Sequence, residues 1–90
     1  MTDLNPEDME ALFPAQCHIK VIARDLTGVH AQLNTTLLDL GLEGVAFQPS
    51  ATSKNGKYIS FEISLHVETH ARMREIDTAL RAVEGVKLVL

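Results

Sequence analysis

From Gln16 to Ala23 apolar and polar positions alternate. Cys17, Ile19, Val21 and Ala23 fall on one side, and Gln16, His18, Lys20 and Ile22 on the other. A period of two predicts a strand with one buried face. The same alternation runs from Lys57 to Val67, where Ile59, Phe61, Ile63, Leu65 and Val67 interleave with Tyr58, Ser60, Glu62, Ser64 and His66. Five apolar positions in register make a slipped pairing expensive. Between these two segments the period lengthens. Leu26, Val29, Leu33, Leu37 and Leu40 recur at three- and four-residue spacing, which predicts a helix over about 27–40. Asp25 or Thr27 is placed to cap its start, and Gly41 to end it in a left-handed turn. Met73, Ile76, Leu80 and Val83 predict a second helix, opened by Thr69 and closed by Gly85.

Two shorter segments complete the pattern. Val45 to Ser50 reads as a strand, and Pro49 assigns it to a sheet edge because proline cannot donate to a ladder. Asn55-Gly56 then favours a tight hairpin into the Lys57 strand. Residues 86–90, Val-Lys-Leu-Val-Leu, close the chain as a short strand. The order strand, helix, strand, strand, helix, strand predicts an α+β, ferredoxin-like βαββαβ sandwich. Right-handed crossovers put the first and third strands in the centre, giving the order 4-1-3-2, with both helices on one face and the other face bare.

Composition changes the picture mainly at the N-terminus. The net charge is −4, from eight Lys and Arg against twelve Asp and Glu. Asp3, Glu7, Asp8 and Glu10 fall in the first ten residues with no basic residue among them, so the remaining eighty residues balance. That argues against nucleic acid or an anionic membrane as partner, since both need a basic excess. Residues 1–15 read as an acidic tail, in which Asn5-Pro6 can open a short helical turn that Pro14 stops, and residues 16–90 read as the domain. One cysteine allows no intramolecular disulfide. No apolar run reaches the ~20 residues that span a bilayer. The expectation is a cytoplasmic domain.

The residues Leu12-Phe13-Pro14, Lys20-Val21, the stretch 53–60 (Ser-Lys-Asn-Gly-Lys-Tyr-Ile-Ser) and the apolar ending 86–90 resemble the YbeD-like family of small bacterial proteins. The resemblance covers about residues 12–90. The family has no assigned enzymatic activity to carry over, and the resemblance implies a fold similar to the regulatory ACT type. Ala23-Arg24-Asp25-Leu26-Thr27-Gly28-Val29 also looks like the ACT signature, an Asp followed three residues later by Gly, with Thr27 where proline is common. ACT domains bind amino acids near that glycine, usually across a dimer interface. The resemblance therefore marks Asp25 and Gly28 as site residues.

The topology predicts where chemistry gathers. The turn at 25–28 and the hairpin at 51–57 meet at one end of the sheet, bringing Arg24, Asp25, Thr27, Gly28, Ser53, Lys54 and Lys57 around a helix N-terminus. Free N–H groups there suit a small anionic metabolite or amino acid. The opposite end holds His18, His66 and His70, weak metal candidates because their spacing matches no compact motif. On the bare face Lys20, Tyr58, Ser60, Glu62 and Ser64 form a candidate surface for a protein partner, and the last strand offers an edge; either also suits a homodimer. One aromatic is too few for RNA stacking. An acyl-phosphate hydrolase needs an Arg cradle and a water-positioning Asn, and Arg24 with Asn55 is only a loose version. With no Ser-His-Asp order and no Gly-rich phosphate loop, neither an enzyme nor a cofactor is expected. Cys17 reads as a small buried hydrophobe.

Overall fold

The structure, a computed structural model, describes residues 6–90. The elements are α1 (Pro6–Ala11), β1 (Ala15–Arg24), α2 (Val29–Asp39), β2 (Gln48–Thr52), β3 (Tyr58–Val67), α3 (His70–Arg81) and β4 (Val86–Val89). The four strands form one antiparallel sheet in the order β2-β3-β1-β4, the expected order read from its other edge. β1 pairs with β3 along its whole length, from Ala15 opposite Val67 to Arg24 opposite Tyr58. The alternating apolar positions of both central strands are therefore on one side. Val21, Ala23, Phe61 and Val67 are buried there against Leu33 and Leu37 of α2 and Ile76 and Leu80 of α3. Burying this stripe supplies the main driving force for folding, roughly 1.5–3 kcal/mol per large apolar side chain.

The second strand begins later than alternation predicts. Residues 45–47 are not strand, and β2 runs from Gln48 to Thr52. Phe47 is fully buried, yet its backbone does not join the ladder. Two side chains of α2 take the ladder's place. Phe47 N–H donates to Asn34 Oδ1 at 2.8 Å, and His30 Nε2–H donates to Phe47 O at 2.7 Å. A buried amide must find partners, and here a helix supplies them. Pro49 lies on the sheet edge as expected, beside a bulge between Pro49 and Ala51. The hairpin is wider than a two-residue turn. Ser53 N–H bonds Tyr58 O at 2.9 Å, and Gly56 N–H bonds Ser53 O at 2.9 Å with Gly56 at φ 71°.

Helix ends also differ from expectation in two places. α3 ends at Arg81 with Ala82 as its C-cap, so Gly85, at φ 91°, belongs to the turn into β4 and does not close the helix. The N-cap of α2 is Gly28, at φ 84°, and no side chain caps the helix, neither Asp25 nor Thr27. By contrast Thr69 caps α3 as expected, its Oγ1 accepting from Arg72 N–H at 3.0 Å. The acidic N-terminal region also acts here. Glu10 of α1 accepts from Ala71 N–H at 3.2 Å, placing a carboxylate at the positive end of α3. The Asn5 cap falls outside the described residues. No helix of the described residues is long and apolar enough to cross a membrane.

Candidate functional site

Two backbone bonds tie the ends of the strands together, and a third closes the turn on itself. Arg24 N–H bonds Gly85 O at 2.8 Å, Asp25 N–H bonds Lys57 O at 3.0 Å, and Leu26 N–H bonds Arg24 O at 2.8 Å. The turn from Asp25 to Gly28 is thus held between the hairpin on one side and the α3–β4 turn on the other. Beneath it, on the helix side of the sheet, opens a pocket of about 480 Å³. Leu26, Thr27, Gly28, Val29, Gln32 and Thr36 form one wall, and Ala79, Ala82, Val83 and Glu84 the other. The two helices run antiparallel, so the start of α2 faces the end of α3 across this space. One wall carries N–H groups that no side chain caps, the other the closing turn of α3 and the Glu84 carboxylate. The helix dipoles give the two walls opposite partial charge.

The sequence-predicted residues do not all meet there. Thr27 and Gly28 line the pocket. Asp25 joins the hairpin through its backbone. Arg24 lies opposite Tyr58 in the row that faces away from the helices, so the sheet stands between it and Gly28. Lys57 Nζ lies 5.9 Å above the Tyr58 ring, on that same outer side. Ser53 is committed to its own turn, accepting from Tyr58 N–H at 3.0 Å and donating to Asn55 Oδ1 at 2.9 Å. Asn55 Oδ1 also accepts from Lys57 N–H, which occupies it within the loop. Lys54 is exposed in the turn. The pocket therefore contains no basic side chain, and its one charged residue is Glu84.

Sequence reasoning missed Gln32, Thr36, Ala79, Ala82 and Glu84. The signal was present. Gly28, Gln32 and Thr36 follow each other at four-residue spacing along one edge of a helix, and antiparallel helices must bring the end of the second to the start of the first.

On the outer face His18 Nε2 lies 2.7 Å from Glu62 Oε1, and Nδ1 lies 2.9 Å from Ser64 Oγ. The bond from His18, and next that from Ser50, hold the Glu62 carboxyl below its ordinary value of 4.5, against a smaller opposing effect of desolvation. His66 bonds Glu68 at 2.9 Å, and His70 packs on Phe13 with ring centroids 5.9 Å apart. The register sets His66 opposite Gln16 and His18 opposite Ser64. His18 and His66 are diagonal neighbours on the outer face, whereas His70 is held on Phe13, and among the described residues no group of three or more His, Cys, Asp or Glu could hold a metal. Ser60, expected on the bare face, is only 6% exposed, closed in by bonds to Ser50 Oγ and Ala51 O. Lys20, Tyr58 and Glu62 remain partly open, and Ser64 is exposed. Cys17 is half-buried against the core.

This sheet with two helices over one face, and a glycine turn at the mouth of the first, is an ACT-like fold. Solved structures agree. The ACT domain from GTP pyrophosphokinase of Chlorobium tepidum is similar with a TM-score of 0.63 at 17% identity, over 83% of this chain and 94% of that one. HP0495 from Helicobacter pylori is similar with a TM-score of 0.67 at 24% identity, over 87% of this chain and 82% of that one. TM1266 from Thermotoga maritima, an uncharacterized protein, reaches 0.59 at 12% identity, over 81% and 90%. The chain belongs to DUF493, a family of proteins of unknown function, which matches residues 8–90 and is the YbeD family. No curated protein matches the chain significantly.

Proposed function

We propose that this chain is a non-enzymatic regulatory module whose pocket beneath the Asp25–Gly28 turn binds an α-amino acid. One observation carries the reading: an uncapped helix start and the Glu84 end of α3 face each other across about 480 Å³. Val29 N–H is taken by Leu26 O at 3.1 Å, so a carboxylate suits the N–H groups that follow it in the first turn of α2, and an ammonium suits Glu84 and the closing carbonyls of α3. A phosphorylated metabolite fits less well, because the lining offers no basic side chain and holds an acid. Gly28 leaves the backbone open to a ligand, since a Cβ there meets nothing within 4 Å. The ACT-like fold supports a regulatory role, and closure of the pocket by a second copy is what the resemblance implies.

The test is a thermal-shift screen with the twenty common amino acids and a set of phosphorylated metabolites. A ligand at 100 times its Kd stabilises by about 2.7 kcal/mol, which is on the order of 10 °C for a domain this size. At least one amino acid is expected to raise Tm, and Glu84→Lys and Gly28→Val to remove the increment. An increment from phosphorylated compounds alone would replace the zwitterion with a simple anion. No increment from either set would end the ligand reading.

A further inference from the structure

The outer sheet face carries a feature that the pocket does not use. β4 pairs with β1 so that Leu88 lies opposite Ile22, and Leu90 exchanges two backbone bonds with Lys20 at 3.1 and 2.8 Å. Both leucines are therefore on the outer face, and they are 48% and 66% exposed. Tyr58 stands diagonally across from Ile22 on β3, beside a recess of about 200 Å³ that Ile22, Tyr58, Ala51 and Ser60 help to line. Ile22, Tyr58, Leu88 and Leu90 make one contiguous apolar corner. Its rim is cationic. Arg24 is two residues beyond Ile22 on the same row, and Lys57 Nζ lies over Tyr58. Among the described residues no ion pair uses Arg24 or Lys57, while the neighbouring carboxylate, Glu62, is engaged by His18.

We propose that this corner docks an acidic, leucine-bearing segment of a partner protein. The apolar side chains of the segment would cover Ile22, Leu88 and Leu90, and its carboxylates would meet Arg24 and Lys57. Charge complementarity selects this occupant. A second copy packed two-fold on the corner would set its own Arg24 and Lys57 against the same cations, which repel. Addition of a strand to β4 is also opposed. Arg81 Nη2 donates to Val89 O at 3.1 Å and so covers an acceptor on the outer edge. The segment lies across the face and does not extend the sheet.

The probe is a labelled peptide of about a dozen residues alternating leucine and glutamate, read by fluorescence polarisation. The control peptide carries lysine for glutamate. Wild-type protein is expected to bind the acidic peptide, more weakly as salt rises, and the basic control at least about tenfold more weakly. Leu88→Asp and Arg24→Glu should each weaken binding by about tenfold or more, as central contacts do. Leu38→Asp alters a leucine 62% exposed on α2 and should leave binding unchanged, as should Glu84→Lys in the amino-acid pocket. No binding, equal binding of both peptides, or an equal loss in Leu38→Asp would overturn the proposal. So would sedimentation showing a dimer that Leu88→Asp converts to monomer, because the corner would then be covered by a second copy. A ligand-free pocket on the helix side leaves these outcomes untouched.

Discussion

Removing the carboxamide of Asn34 tests how the chain between α2 and β2 is held. Phe47 is fully buried, so its N–H has no water to turn to when Asn34 Oδ1, at 2.8 Å, is taken away. An unsatisfied buried donor costs about 1–3 kcal/mol. Alanine regains up to about 0.7 kcal/mol of helix propensity over asparagine. Asn34→Ala is therefore expected to lose about 0.3–2.3 kcal/mol net, from those two magnitudes. With an m-value near 1 kcal/mol/M in urea, the midpoint should fall by about 0.3–2.3 M. Asn34→Asp keeps the acceptor and the same low helix propensity, so it should stay within about 0.5 kcal/mol of wild type. The assay is equilibrium urea unfolding followed by circular dichroism. If Asn34→Ala unfolds with wild type, or Asn34→Asp is as damaging as alanine, the side-chain clip on Phe47 does not hold this segment.

Other consequences follow from single contacts. Phe61 is 1% exposed at the centre of the core, and Phe61→Ala should cost about 3–5 kcal/mol in urea unfolding, enough to leave the domain marginal. The Glu62 carboxyl titrates below 4.5 when folded, so the unfolded chain takes up its proton first as pH falls. Its contribution is present above 4.5 and lost as pH drops through the folded value. Glu62→Gln should therefore flatten that part of the stability–pH curve, and an NMR titration midpoint for Glu62 above 4.5 would contradict it. Gly85 has φ 91° and an added Cβ would lie 2.8 Å from Leu26 Cδ1, whereas Gly28 has φ 84° and open space. Both alanine variants carry about 1–2 kcal/mol of left-handed strain, and Gly85→Ala should unfold at lower urea because Leu26 must also move. Arg81→Ala uncovers Val89 O and should raise light scattering at high protein concentration with little change in urea midpoint.

The elements were legible where one face of the sheet or helix sets the period. β1 and β3 alternate because each buries one side, and the stripes at Leu33–Leu37 and Ile76–Leu80 mark the helix faces that cover them. Pro49 announced its edge by lacking an N–H. The later start of β2 was not legible, because it depends on His30 and Asn34 reaching Phe47 from a helix that precedes it by more than ten residues. No local pattern encodes such a partner. Arg24 shows a different gap. Its outward direction follows from the alternation that buries Ala23, but grouping it by loop proximity placed it with Gly28 on the wrong side of the sheet. Glu84 and the outward leucines of β4 needed the relation between elements: the antiparallel helices for one, the β1–β4 register for the other.

An amide-resolved NMR titration with the amino acid that raises Tm most tests the central claim directly. Binding beneath the glycine turn predicts saturable shifts concentrated at Thr27, Gly28, Val83 and Glu84. Shifts centred on Arg24 and Tyr58 instead, or none at saturating ligand, would contradict it.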